Sequence, residues 1–324
     1  MAVAVGVALL ALHDRSSIGT GGATLAAADG EWLLFALGLT TALWVAGTAA
    51  QLGSVPIRPP LSQLFAVQVA ASVVNHVVPG GVGGMAVNVR YLQRTGMSRP
   101  AALGAVGLNS VATMVTHLAL IAAVWACAPA VLPGGALTPG LNGALGLPAG
   151  WLPGTVRAGA LAAGVLVLGV VALAVTAGPA RCSAVVARAW TRVAAAARHV
   201  ARELRSSAAV LRRPGRAGLL WAGSAASPAL HALILVAVYN SLSVGLAPLA
   251  VALAYLVASS VAALVPSPGG FGALDVTLVA GLVAIGAPPS TAVASVLGYR
   301  LLTVWVPLVP GALVLAWLMR RHVL

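Results

Sequence analysis

Two short stretches hold the residues best suited to chemistry in an otherwise apolar chain: VVPGGVGGM at 77–85 and VPSPGGFGALD at 265–275. In each, a proline ends one helical run, and the glycines behind it let the backbone reverse without side-chain clash. These are Gly80, Gly81, Gly83 and Gly84 in the first stretch, and Gly269, Gly270 and Gly272 in the second. A helix restarting near Gly83 or Gly272 offers unpaired N–H groups and the positive end of its dipole, a setting that suits an anionic group such as phosphate. Asp275 comes after the second break, placed to cap the new helix, to bind a cation or proton, or to pair with Arg300 farther on. Arg300 is in turn a candidate phosphate ligand. Arg90 lies just past the first break, positioned either to meet a phosphate or to snorkel to the membrane surface. Asn75 and His76 immediately precede that break, within reach of freed carbonyls or of a substrate.

Other polar residues have plainer readings. Asn109, Thr113 and His117 recur every four residues on one helix face, a stripe that glues helices together or lines a path. Ser110 with His117, and Ser224 with His231, share faces at a spacing of seven, but neither pair has a GxSxG elbow or an orienting acid. No metal, cofactor or catalytic set is expected, and the chain reads as a non-enzyme.

The elements that must position these residues can be read from composition. The 324 residues are 60% hydrophobic and 7% charged, with a mean hydropathy of +1.01, which is the composition of an all-α polytopic membrane protein. All 18 basic residues are arginine, and the net charge of +13 is concentrated between membrane segments, where anionic lipid is a nearer partner than nucleic acid. Cys127 and Cys182 fall on opposite sides of the membrane in the topology that the arginines dictate, so no disulfide is expected.

Hydrophobic segments fall at about 1–12, 32–53, 61–78, 83–95, 101–128, 155–178, 217–240, 248–265, 273–286 and 289–318. A helix needs ~20 residues to cross the bilayer. The pairs within 61–95 and 248–286 are therefore read as broken, re-entrant hairpins, and 129–154 as a loop. The segment at 1–12 is read as a membrane helix whose beginning is missing, because no cleavage signature comes after it. Nine arginines between 181 and 216 face the single acid Glu203, so the positive-inside rule places 179–216 and the C-terminal Arg320 and Arg321 in the cytoplasm of a cell-membrane protein. Residues 186–204 have the pattern of an amphipathic helix on the inner leaflet. With that orientation, hairpin 61–95 enters from the cytoplasmic face and hairpin 248–286 from outside.

The result is a single membrane domain, 1–324. It has a first repeat at 32–128, a connecting helix at 155–178, and a second repeat at 217–318 inverted relative to the first. Pro60, the PGG at 79–81, Gly96 and the run from Ala102 correspond in order to Pro248, the PGG at 268–270, Gly286 and the run from Ala292. Inverted repeats with broken helices are a transporter arrangement.

VPGGVGG with Arg90-Tyr91-Leu92, and PSPGGFGALD with Tyr299-Arg300 and a Pro/Gly-containing last helix, resemble the membrane region of the lysylphosphatidylglycerol synthase family over roughly 32–318. The chain is similar to a stand-alone relative lacking the soluble synthetase domain. The resemblance implies a flippase-like domain moving a lipid between leaflets, with Asp275 and Arg300 at family positions. Asn109 and Ser110 stand where relatives commonly have a charged pair, and no acid comes after the first PGG. The substrate expected is an anionic phospholipid or a polyprenyl-phosphate lipid, aminoacylated forms included, within the bilayer. A homodimer or an envelope-lipid enzyme is a further candidate partner. Two alternatives stay open: a non-catalytic membrane partner of an envelope-lipid enzyme, and a membrane enzyme acting on lipid phosphates.

Overall fold

The computed structural model describes Leu25 and residues 27–78, 82–127, 209–242, 245–263 and 272–324. The expected helix at 1–12, loop at 129–154, connecting helix at 155–178, most of the arginine-rich segment, both PGG triplets and Cys182 lie outside them. Among the described residues all regular structure is helical: α1 (Gly30–Ser54), α2 (Leu61–Val77), α3 (Val82–Arg94), α4 (Arg99–Cys127), α5 (Pro214–Ser241), α6 (Pro248–Ala262), α7 (Ala273–Ala284), α8 (Pro289–Arg300) and α9 (Val306–Arg320). A π-turn, Leu301–Trp305, joins α8 to α9, and a 3-10 turn, Ala209–Arg212, precedes α5.

Four of these are long and apolar enough to cross a membrane: α1, α4, α5 and the continuous run Pro289–Arg320. Leu34, Phe35, Met114, Leu118, Val309 and Leu313 leave large apolar side chains exposed along three of them, a surface suited to lipid. The helices α2, α3, α6 and α7 have 17, 13, 15 and 12 residues. At 1.5 Å per residue even the longest rises only about 25 Å, short of the ~30 Å of hydrocarbon.

The most intimate contact joins α1 to α5, which run antiparallel. Asp29, whose carboxylate caps α1 by accepting from Glu31 N at 2.8 Å, also gives its own backbone N–H to the Ser241 carbonyl at the end of α5. At the other end Arg216 donates to the Leu52 carbonyl and, at 2.9 Å, to that of Ile57, setting a cation at the negative end of the α1 dipole. Between these ends the backbones nearly touch. A Cβ on Gly53 would meet the main chain of Leu220, and one on Gly223 the main chain of Ala46 and Ala50. Small residues permit such approach where no hydrophobic force drives helices together. Gly223→Leu is expected to force the pair apart at a cost of about 2–3 kcal/mol, read as a lowered thermal midpoint in detergent. Gly38→Ala, with open space around it, serves as the control and should leave the midpoint unchanged.

The two short-helix pairs end alike. After α3, Gly96 takes φ +94°, and after α7, Gly286 takes φ +100°. The bonds around them match: Gly96 N to Gln93 O and Met97 N to Leu92 O in one, Gly286 N to Val283 O and Ala287 N to Leu282 O in the other. This is the glycine-terminated helix end that a Cβ would strain. Each turn opens a membrane-length helical run, α4 or Pro289–Arg320, so the two stretches pass through the same order of elements.

The turns sit at opposite ends of the molecule. Met97 and Ala102 share a core with Val55, Leu64, Tyr91 and Leu318, with Val323 and Leu324 against it, so the first turn lies beside the C-terminus of Pro289–Arg320. The second turn opens that same long helix, and Ala287 belongs to the other core, with Ala36 near the start of α1 and Tyr239 near the end of α5. Charges divide the same way. The first end carries Arg58, Arg94, Arg99, Arg216, Arg320 and Arg321, and the end where α1 begins carries Asp29 and Glu31.

Candidate functional site

The Asp275 carboxylate does two jobs. Its Oδ2 accepts from Gly272 N at 2.9 Å, tying down an N–H at the start of α7, and Gly272 holds φ +79° there. Its Oδ1 accepts from Arg300 Nε at 2.5 Å. Arg300 is buried, with 6% of its surface exposed, while Asp275 is partly accessible. The capping and pairing roles anticipated for Asp275 therefore coexist. A charge this deep among apolar helices is held by its partner, since an unpaired one would cost several kcal/mol.

Gly96 and Gly286 stand 190 residues apart (286 − 96), and the same step takes Met85 to Asp275 and Ser110 to Arg300. Those two also meet: Ser110 Oγ lies 3.6 Å from Met85 Sδ. Both hairpins thus make the same helix-to-helix contact, charged in the second and neutral in the first.

A polar space lies against the first hairpin. A cavity of about 370 Å³ is walled by α1, α2, α3, α4 and α5, with Thr303 and Pro307 closing one side. Five carboxamides line it: Gln51, Gln68, Asn75, Asn88 and Asn109. They brace one another across helices. Asn109 Nδ2 donates to Gln51 Oε1 at 3.3 Å and Gln68 Nε2 to Asn88 Oδ1 at 2.8 Å, while Asn88 Nδ2 reaches the Gly84 carbonyl at 2.9 Å. Asn75 Oδ1 accepts from Gly84 N at 3.3 Å. It satisfies a freed N–H of the restarting helix, not the carbonyls anticipated for it. No Asp, Glu, Lys or Arg is among the described residues of the wall.

Of the anticipated site residues, Asn75, His76 and Gly84 line this cavity. Gly83 instead packs against the Val74 carbonyl, where a Cβ would collide. Arg90 is exposed on α3, away from the cavity wall. Gly272, Asp275 and Arg300 form the separate ion-pair site. Gly80, Gly81, Gly269 and Gly270 lie outside the described residues.

Two residues of the α4 stripe join helices, while Thr113 bonds the Asn109 carbonyl within α4 and Asn109 also lines the cavity. Asn109 ties α4 to α1, and His117 Nε2 donates to the Leu256 carbonyl of α6 at 3.1 Å with Ser260 Oγ at 3.0 Å. His117→Leu is expected to loosen the α4–α6 contact by about 0.5–1.5 kcal/mol, measurable as increased protease sensitivity of the detergent-solubilised protein. His231, also on the cavity wall, is held by Tyr299, whose hydroxyl lies 2.8 Å from Nδ1 and 3.3 Å from the Tyr255 hydroxyl; Tyr255 stacks on the imidazole at 5.9 Å. Ser224, its partner by spacing, is buried with no hydrogen bond to His231.

Sequence reasoning passed over Gln51, Gln68 and Asn88. The signal was present: carboxamides inside segments otherwise fit to face lipid are costly unless they meet one another or a polar space.

The site thus belongs to a multi-pass helical membrane protein in which the short pair α2–α3 and the longer α1, α4 and α5 wall a polar space. The lysylphosphatidylglycerol synthase TM region model matches residues 1–311, and the chain belongs to that family. No curated protein matches the chain.

Proposed function

We propose that this protein carries a lipid across the cytoplasmic membrane, its headgroup passing through the carboxamide-lined cavity while its acyl chains stay in the bilayer. The observation that carries this reading is the cavity itself. A space of about 370 Å³ lined by five carboxamides, in a bundle whose outer surface is apolar, suits a polar group that must leave water. Family membership points toward lipid modification or transport.

Two further features support the reading. The short hairpins α2–α3 and α6–α7 end in matching glycine turns at opposite ends, which fits an inverted pair of re-entrant hairpins. Arginines gather at the end holding the first turn, which would make that end cytoplasmic by the positive-inside rule. Alternating access by rocking one hairpin against the other would expose the cavity to each leaflet in turn. The phosphate of an anionic phospholipid or polyprenyl-phosphate lipid would lie near the cavity mouth. No bond is made or broken in this scheme.

The test is reconstitution into liposomes carrying fluorescent phospholipids, with dithionite bleaching of outer-leaflet label. Translocation should raise the bleachable fraction over time relative to protein-free liposomes. Equal rates with and without protein, across several headgroup classes, would sink the reading.

A further inference from the structure

The chemistry of the cavity wall narrows what it can hold. Phosphate sites are built from arginine, lysine or converging N–H groups, and ammonium sites from carboxylates or aromatic cages. This wall supplies neither formal charge among its described residues, and the two N–H groups best placed to serve an anion, those of Gly84 and Gly272, are already taken by Asn75 and Asp275. What it supplies is a mixture of donors and acceptors on carboxamides and hydroxyls, beside the imidazoles of His76 and His231.

Much of that capacity is unspent. Gln68 Oε1 and Asn109 Oδ1 accept nothing, Asn75 Nδ2 donates to nothing, and Ser227 Oγ makes no hydrogen bond among the described residues. The Asn109 oxygen is itself buried, a polar atom removed from water without a protein partner. Such an atom is costly unless something that can hydrogen-bond fills the space beside it. A hydroxyl is donor and acceptor at once, so adjacent hydroxyls can satisfy a carboxamide's oxygen and nitrogen together. Trp44, on the same wall, offers a flat apolar face to the C–H side of such a molecule.

From this juxtaposition of unspent carboxamides, an indole and a wall with no Asp, Glu, Lys or Arg among its described residues, we infer that the cavity binds a neutral, hydroxyl-rich headgroup, of the glycosyl, inositol or glycerol kind. The inference rests on the translocation reading and names the part of the lipid that occupies the site. Any phosphate linking headgroup to lipid stays outside the carboxamide shell.

Two measurements test it separately. In the first, full-length protein in nanodiscs is titrated with a methyl glycoside, myo-inositol, glycerol and inorganic phosphate, and tryptophan fluorescence is monitored. A saturable change is expected with at least one neutral polyol and none with phosphate, and the polyol that gives it identifies the headgroup source. Gln68→Met and Asn109→Leu, which nearly conserve volume, should each weaken that binding about tenfold, the equivalent of one hydrogen bond. Should one variant fail to yield monodisperse protein, the other carries the comparison. Binding of phosphate in preference to polyols, no response to any polyol, unchanged affinity in the folded variant, or a signal that survives Trp44→Phe would each overturn the inference.

The second measurement compares liposome translocation of fluorescent glycosyl lipid, phosphatidylinositol, phosphatidylglycerol and phosphatidic acid. Preference for the hydroxylated lipids over phosphatidic acid supports the inference, and equal or reversed preference overturns it while leaving translocation standing. Polyol binding with no translocation of any lipid removes the transport reading and leaves the polyol site.

Discussion

Asp275→Met is expected to be among the most damaging single substitutions in the protein, and Asp275→Met combined with Arg300→Ser is expected to restore most of what it loses. The single change leaves the buried Arg300 without the carboxylate that accepts its Nε proton at 2.5 Å and strips the Gly272 N–H of its cap. Removing one partner of a buried ion pair costs about 3–5 kcal/mol. The double change installs the residues that nature uses at the equivalent contact in the first hairpin, Met85 and Ser110. It removes both charges together, and replacing a buried ion pair by a neutral contact is often close to neutral in energy. Thermal midpoints of the two variants and the parent in one detergent decide the matter. A double variant as unstable as the single would show that the pair does more than satisfy itself. A stable double variant that has lost translocation would assign the charges to transport and not to folding.

Ser227→Trp is expected to reduce translocation to the rate of protein-free liposomes while leaving the fold intact. Ser227 lies on the cavity wall with its hydroxyl uncommitted. An indole projecting from that position would occupy much of the 370 Å³ otherwise available to a headgroup. Excluding the ligand sterically demands no change in the walls, so the thermal midpoint should stay close to the parent's, in contrast to Asp275→Met. Ser227→Ala, which empties rather than fills, should keep most of the activity. Undiminished transport by Ser227→Trp would mean that the headgroup travels by another route.

The helices themselves were largely legible. Segment boundaries at 61–78, 83–95 and 217–240 lie within a few residues of Leu61–Val77, Val82–Arg94 and Pro214–Ser241, because a long apolar run and the prolines and glycines that end it are local signals. The correspondence of Gly96 with Gly286 was legible for the same reason. The cavity was not. Gln51 meets Asn109 across 58 positions and Gln68 meets Asn88 across 20, and nothing in the chain between them marks those pairs. The charged motif after the second PGG drew attention to Asp275, yet Asp275 and Arg300 are absorbed by one another, and the open polar space lies against the first hairpin. Charge advertises itself in an apolar sequence, whereas a ring of neutral amides becomes visible only once helices are assembled.

The π-turn between α8 and α9 has a consequence for that neutrality. It arises where Pro307 cannot donate and its ring would crowd the Thr303 carbonyl, so Val306 N reaches back five residues to Leu301 O and Thr303 Oγ1 bonds the Tyr299 carbonyl at 2.7 Å. In an unbroken helix, Arg300, Thr303 and Pro307 would share one face at i, i+3 and i+7. Thr303 and Pro307 look into the cavity, so a guanidinium would look in beside them. The extra residue rotates α9 relative to α8 by about 100°, the angle of one helical step. A single inserted residue thus sets the guanidinium on a different face from Thr303 and Pro307, where it meets Asp275 instead of lining the space where a headgroup would sit.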